Sequence, residues 1–281
     1  MSELQNQRIE CGPYTLDYRN KTLIMGILNI TPDSFSDGGK YNQIEQAVIR
    51  AKQMVEAGAD IIDIGGESTR PGYERVSDEE EIARVAPVIE AISKEIQAPI
   101  SIDTYKSAVA EAALQAGAHI LNDIWGAKAD LRMATLATNY NVPIILMHNR
   151  DNRDYGLFYR DVVNDLFESI QIVKNAGVKD DKIILDPGIG FAKDLSENIE
   201  MMRHLDKLVD IGYPVLLGTS KKSLIGQALN LPVDERAEGT AATICYGIQK
   251  GCQIVRVHDV KEVSRMAKMM DILIGKGQIH G

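Results

Sequence analysis

Eight short β-branched runs recur along this chain, each ending in polar or glycine-containing residues and followed by a longer stretch of helical spacing. They are "TLIMGILN", "DIIDIGGEST", "PISIDT", "HILNDIWG", "PIILMH", "KIILDPGIGF", "YPVLLGTS" and "CQIVRVHDV". Runs apolar at successive positions are buried on both faces, and strands of that kind alternating with helices build a parallel sheet covered by helices. Helical segments fall at 44–57, 78–96, 107–115, 161–176 and 195–209, and "EAGAD", "QAGAH" and "NAGVK" each place a Gly at a helix end. Eight such units within about 250 residues have the size of a (β/α)8 barrel. A doubly wound open sheet is the competing arrangement, but no G-x-G-x-x-G follows the first run and no P-loop occurs. The expected fold is therefore α/β, a single (β/α)8 TIM barrel over 22–275. The segment "RIECGPYTLDYRNKTLI" reads as an N-terminal β-hairpin, within 1–21, that closes the barrel's lower mouth, and 1–281 is taken as one domain.

Charge narrows the partners. Lys and Arg number 31 against 40 Asp and Glu, a net charge of −9. Nucleic acids and anionic membranes, which need a basic face to release counterions or meet headgroups, are not expected partners. An anionic ligand must be held by a local basic cluster. The cysteines, Cys11, Cys245 and Cys252, are odd in number and spaced for neither a disulfide framework nor a zinc site. No apolar h-region opens "MSELQNQRIE" and no apolar run is long enough to span a bilayer, so a cytoplasmic protein is expected.

In such barrels the chemistry sits at the carboxyl ends of the strands. The residues there are Asn29, Asp63, Glu67, Asp103, Asn122, Asp123, His148, Asp186, Ser220, Lys221, Lys222, Arg256 and His258. Any one of the Asp or Asn residues has an ordinary explanation as a cap of the following helix. Gathered in one ring, amides and carboxylates suit a flat heterocycle with many donors and acceptors. The basic residues Lys221, Lys222, Arg256 and His258 follow the seventh and eighth runs, the quarter of a barrel where phosphate is commonly bound. The implied ligand has an anionic end and a heterocyclic end offering N–H donors to Asp103, Asn122 and Asp186. Metal-dependent barrel hydrolases are excluded because "ILNIT" holds no His-x-His, and Schiff-base aldolases because no lysine lies mid-strand.

Taken in order, "MGILNITPDSFSDGG", "GADIIDIGGESTRPG", "SIDT", "NDIWG", "ILDPGIGF", "LLGTSKKSLIG" and "RVHDV" resemble the signature segments of dihydropteroate synthases, from Thr22 to about Ile274. The resemblance implies condensation of 6-hydroxymethyl-7,8-dihydropterin pyrophosphate with p-aminobenzoate, with sulfonamides competing for the aminobenzoate position. It implies that Asp103, Asn122, Asp186, Lys222 and Gly218 read the pterin, with Ile124 and Met147 as apolar walls. Asn29, Arg70, Arg256 and His258 match the pyrophosphate pocket, and Asn29 a Mg2+ contact. Phe35, Thr69, Pro71, Phe191, Lys222 and Ser223 match the p-aminobenzoate pocket.

The same likeness accounts for the long polar stretch "NITPDSFSDGGKY" after the first run. Loss of pyrophosphate generates a resonance-stabilised pterin cation that water would capture, so a closing loop is needed. Gly38 and Gly39 suit a hinge, and Asp37 puts a negative charge beside the cation. Asp37, Lys222 and Arg70 are the expected catalytic residues; no catalytic histidine is needed, because an aromatic amine is nucleophilic when neutral.

"SKKSL" departs from the family's common S-R-K-S-F: Lys221 keeps the charge without a guanidinium's bidentate geometry, and Leu224 fills less volume than Phe. In the last helix Met266, Ala267, Met270, Leu273 and Ile274 form a stripe for the barrel to bury, while Met269 and Ile272 fall elsewhere. A second apolar face, and the resemblance, imply a homodimer. Two alternatives stay open: a corrinoid-type pterin-binding methyltransferase domain, which has no use for the "TPDSFSDGG" and "STRPG" loops, and a non-catalytic pterin-binding protein.

Overall fold

The computed structural model describes residues 7–30, 40–67 and 76–277. β1 (Arg8–Cys11) and β2 (Tyr14–Asp17) form an antiparallel hairpin in which Cys11 pairs with Tyr14. The eight expected runs all become strands: β3 (Leu23–Asn29), β4 (Ile61–Gly65), β5 (Ile100–Asp103), β6 (Ile120–Asp123), β7 (Ile144–Met147), β8 (Ile183–Asp186), β9 (Leu216–Leu217) and β10 (Ile254–Val257). They are parallel neighbours in the order β8-β7-β6-β5-β4-β3-β10-β9. A single bridge between Leu185 and Val215 joins β8 to the approach of β9 and closes the barrel. The sequence supports so short a β9 because Leu216, Leu217 and Val215 are all fully buried.

Ten helices accompany them: α1 (Lys40–Glu56), α2 (Asp78–Ser93), α3 (Ser107–Ala116), α4 (Arg132–Asn139), α5 (Phe158–Asn175), α6 (Leu195–Arg203), α7 (Leu205–Val209), α8 (Ser223–Leu229), α9 (Ala237–Gln249) and α10 (Val260–Leu273), counted among the described residues. Local chemistry sets several ends. Ser77 caps α2 by accepting from the Glu80 N–H at 3.2 Å, with four carboxylates in the first turn facing the positive end of the helix dipole. Asp194 and Glu197 form a reciprocal capping box at α6. Gly117 ends α3 in the left-handed region, φ +112°, which lets its N–H close on the Ala113 and Leu114 carbonyls. The stretch expected as one helix over 195–209 divides at His204 into α6 and α7.

The interior is layered. Leu23, Met25, Ile61, Ile120, Ile145, Ile184, Leu216 and Ile254 point into the lower barrel and pack against Ile9, Cys11, Leu16 and Tyr18 of the hairpin region. The hairpin thus plugs the lower mouth, and each fully buried Ile or Leu contributes about 1.5 to 3 kcal/mol. The second core, between sheet and helices, holds the alternate positions such as Ile24, Ile62, Leu121, Leu146 and Leu185. Strand alternation then places the site: two residues beyond a lower-layer side chain, the next inward position belongs to the upper mouth.

One expectation about α10 is corrected. Met266, Ala267 and Met270 pack against the barrel as expected, beside the buried Val260, Val263 and Asp271, whereas Leu273 is 66% and Ile274 42% exposed. In the last turn the buried position belongs to Asp271, whose carboxylate accepts from the Thr22 N–H at 2.6 Å and the Thr22 hydroxyl at 2.7 Å at the entry to β3.

Candidate active site

The upper mouth carries Asn29, Asp63, Asp103, Asn122, Met147, Asp186, Gly218 and Arg256, one position from each of the eight strands or its end. Arg256 is the centre of the arrangement. Its Nε donates to Asp63 Oδ2 at 2.6 Å and its Nη2 to Asp103 Oδ2 at 2.6 Å, while Asn122 Nδ2 donates to the Asp63 carboxylate at 3.3 and 3.4 Å. Asp63, which the sequence marks only as a strand end, is fully buried and is the anchor that orients Arg256. An inward Asp two residues beyond Ile61 is the signal in the sequence that points to it.

Two polar atoms in this interior lack protein partners. Asp103 Oδ1 and Ser101 Oγ are buried without a hydrogen bond among the described residues. Such atoms cost free energy unless a ligand or water satisfies them. Burial pushes the Asp103 carboxyl up to about 7 against the opposing pull of the Arg256 guanidinium. Asp186 is likewise raised by burial, with Lys222 pulling the other way, and one of its oxygens accepts from the Gly188 N–H at 2.7 Å. Removal from water lowers the Lys222 ammonium to about 8; its Nζ donates to the Ile189 carbonyl at 2.6 Å and stands 5.0 Å from the centre of the Phe191 ring. These are groups held in place and under-solvated, ready for a polar ligand.

Ile124 and Met147 flank this ring, Met147 buried and Ile124 half-buried. A Cβ at Gly218 would reach 3.7 Å from Lys222 Nζ and 3.8 Å from Arg256 Cβ, so glycine keeps the space between those cations open. At Asn29 the ring meets a cavity of about 540 Å3, lined by polar Gln46, Arg50, Lys221, His258 and Asp259 and by apolar residues of β3 and α1. Ser220 and His258 face each other at 3.0 Å, and Lys221 pairs with Asp259 at 2.9 Å. Lysine at 221 therefore has its own carboxylate, and Leu224 is buried, 5% exposed. Ser223 is exposed at the first position of α8. A larger groove of about 810 Å3 runs over the rim by Tyr105, Lys106, Trp125, Lys128 and Arg150, and none of the ring residues lines it. Size alone does not locate the site; the chemistry does.

Two readings change, those of Asp123 and Glu67. Asp123 does not face the mouth: it is fully buried on the outer face, accepting from the Trp125 and Ala127 N–H groups at 2.8 and 2.9 Å. It is a turn cap, because its strand neighbour Asn122 occupies the inward position. Glu67 turns away to Lys106, at 2.5 Å, which also holds Glu81 at 2.8 Å. His148 is bonded to Asp165 and Lys193, a structural place. Lys193, which sequence reasoning missed, is a buried lysine lowered to about 7 by burial, carried on a loop and not inside a strand. Phe35, Asp37, Gly38, Gly39, Thr69, Arg70 and Pro71 lie outside the described residues.

The barrel mouth gathers carboxylates, amides and the Arg256 guanidinium in one ring, and the family model described as "Pterin binding enzyme" matches residues 25–258. The chain is 59% identical over 276 residues to the dihydropteroate synthase of Bacillus subtilis, covering 98% of this chain and 97% of the relative. A crystal structure of dihydropteroate synthase from Clostridium difficile in the presence of pteroic acid superposes with a TM-score of 0.89 at 50% identity, covering 92% of this chain and 98% of that one. The Yersinia pestis enzyme in a sulfonamide drug complex gives 0.88 at 39% identity, covering 95% and 99%. The chain belongs to the pterin-binding enzyme family and, within it, to the dihydropteroate synthases.

Proposed function

We propose that the chain condenses 6-hydroxymethyl-7,8-dihydropterin pyrophosphate with p-aminobenzoate, releasing pyrophosphate and forming 7,8-dihydropteroate for folate biosynthesis. The observation that carries this is the ring of Asp103, Asn122 and Asp186, with Asp103 Oδ1 unpartnered, standing beside a cavity that holds Asn29, Lys221 and His258. Asp186 accepts parallel N–H donors from the amino-pyrimidine edge, each charge-assisted bond contributing about 1.5 to 3 kcal/mol. Departure of pyrophosphate breaks the C–O bond and leaves a cation on the pterin methylene. The buried carboxylates stabilise that charge more than water would, because they need no reorganisation. The amine nitrogen then attacks and releases its extra proton.

Lys222 and Gly218 are assigned to the pterin side, Lys222 also to p-aminobenzoate with Phe191 and Ser223. Arg256 and His258 are assigned to pyrophosphate, Arg256 by way of the mouth it shares with Asp63 and Asp103. Outside the described residues, Asp37 and Arg70 are assigned to catalysis and Phe35, Thr69 and Pro71 to the aromatic amine. Among the described residues no cluster of three His, Cys, Asp or Glu gathers to hold a metal. A magnesium ion needs no such cage when pyrophosphate and water supply most ligands, and Asn29, exposed at the mouth, offers one amide oxygen. When bound, Mg2+ would neutralise charge on the leaving group. Sulfonamides would compete with p-aminobenzoate, as the drug-bound relative suggests. Among the described residues no helix is long and apolar enough to cross a membrane, and we place the enzyme in the cytoplasm as one domain over 1–281. The exposed Tyr246, Met269, Leu273 and Ile274 on the outer helices support a homodimer; a monomer mass by light scattering at micromolar concentration would overturn it.

The test tracks radiolabelled p-aminobenzoate into product with the pyrophosphate substrate and Mg2+. Wild type turns over, and turnover falls on chelation of Mg2+. Asp186→Ala weakens pterin binding by about a hundredfold or more, whereas Asp37→Ala binds pterin and reacts slowly. Wild type that binds pterin without forming product would reduce the chain to a pterin binder.

A further inference from the structure

The Lys193 ammonium is nine-tenths buried and makes three contacts: His148 Nδ1 at 2.7 Å, the Gly188 carbonyl at 3.0 Å and the Phe191 carbonyl at 3.1 Å. An ammonium has three N–H donors, so all three are used. His148 Nε2 sits 2.9 Å from Asp165 Oδ2, which assigns the ring proton to Nε2 and leaves Nδ1 a lone pair for the lysine. Arg150 holds Asp165 in turn, its Nη2 donating to Oδ1 at 3.2 Å. Burial drives His148 down to about 4 and Lys193 down to about 7, so the imidazole is neutral and its Nδ1 accepts from the lysine. Asp186, Lys222, Glu197 and Asp165 are the other charges bearing on Lys193.

The carbonyls that Lys193 ties together belong to the segment on which the mouth rests. The Gly188 N–H donates to Asp186, the Ile189 carbonyl accepts from Lys222, and the Phe191 ring lies under the Lys222 ammonium. Gly188 is left-handed, φ +66°, and a Cβ there would fall 2.0 Å from the His148 carbonyl. The segment is therefore wedged against the very residue that holds Lys193. A second tie runs from the Gly190 N–H to Asn198 Oδ1 at 2.7 Å.

We infer that Lys193 is a positioning residue for the aromatic-amine side of the site: its ammonium, oriented by His148, joins the Gly188 and Phe191 carbonyls and so fixes the Phe191 ring. The inference rests on the function proposed above for Phe191. Attention to strand ends passes over Lys193 because it lies in the connection between β8 and α6.

Three variants test it: Lys193→Met, His148→Leu, and His148→Asn, whose Oδ1 falls near the former Nδ1 and keeps an acceptor for the lysine. Lys193→Met and His148→Leu are each expected to raise the KM for p-aminobenzoate at least tenfold while changing the dissociation constant of the pterin pyrophosphate less than threefold. Amide hydrogen exchange should rise within 188–193 and stay unchanged in the strands, and His148→Asn should restore most of both readouts. Equal losses of amine and pterin affinity, exchange that rises across the whole barrel, or failure of His148→Asn to differ from His148→Leu would overturn the inference. Wild type that forms no product would instead strike at the proposed function, and the exchange pattern would still decide whether Lys193 holds the segment.

Discussion

Four barrel strands place an apolar side chain in the lower interior and, two residues on, a polar one in the upper. Ile61 precedes Asp63, Ile120 precedes Asn122, Ile184 precedes Asp186 and Ile254 precedes Arg256. The lower layer is closed by the hairpin, and it stabilises the fold by burial of apolar surface. Two residues further along the same strands, carboxylates and cations are held with little water, an orphaned Asp103 oxygen and a depressed Lys222 ammonium beside them. Such groups cost stability in the ligand-free protein and recover it only when paired. The contrast shows how one alternating pattern can separate the work of folding from the work of recognition along a single strand.

Breaking the contrast from the upper side should give the largest effect. Arg256→Met leaves Asp63 and Asp103 without their guanidinium, and removing one partner of a buried ion pair costs about 3 to 5 kcal/mol. Asp103, already pushed up to about 7, would be raised further, so the loss is greatest at alkaline pH and shrinks as acid protonates the carboxyl. Thermal unfolding at pH 8 and pH 5 reads the difference; equal losses at both would make Arg256 a packing residue. From the lower side, Ile184→Ala should cost about 3 kcal/mol through a cavity in a fully buried layer, at every pH. Urea denaturation measures the loss, and pterin titration of the folded variant should stay within twofold of wild type. A large change in affinity would show that the two layers are not separable.

How much of this division is legible in the sequence depends on what each signal measures. The eight runs are legible because burial on both faces demands continuous apolar residues, and all eight are strands. Period-two alternation also separates Asn122 from Asp123, yet a reading by strand ends puts both in one ring, because two adjacent polar residues there hide which one faces inward. The pairing of Arg256 with Asp63 is not legible, since it joins β10 to β4 across 193 residues. Lys193 escapes for a different reason: its burial arises from a loop folding back on His148, and no periodicity records that. In α10 the apolar stripe holds for Met266, Ala267 and Met270 and fails in the last turn, where Asp271 takes the buried position beside Thr22 and Leu273 and Ile274 are exposed.

The smallest effect sharpens the comparison most. Asp103 has a carboxyl raised from an ordinary 3.8 to about 7, so between those values the native protein binds more protons than the unfolded chain. Stability on this account falls as pH rises from about 4 to 7, and Asp103→Asn, which keeps the shape but cannot titrate, should flatten that slope. The gain is offset by the loss of a charge-assisted bond from Arg256, so at pH 8 the variant should exceed wild type by only about 1 kcal/mol. Pterin binding should move the other way, weakening about tenfold, because an amide is a poorer acceptor than a carboxylate for a ring N–H. Melting curves across pH 4 to 8, with a pterin titration at pH 8, read both quantities in one preparation. Opposite signs mean that the upper mouth holds Asp103 at a cost to the ligand-free fold in return for recognition, whereas a variant less stable than wild type at every pH would place Asp103 with Ile61 and Ile184 among the groups that hold the barrel together.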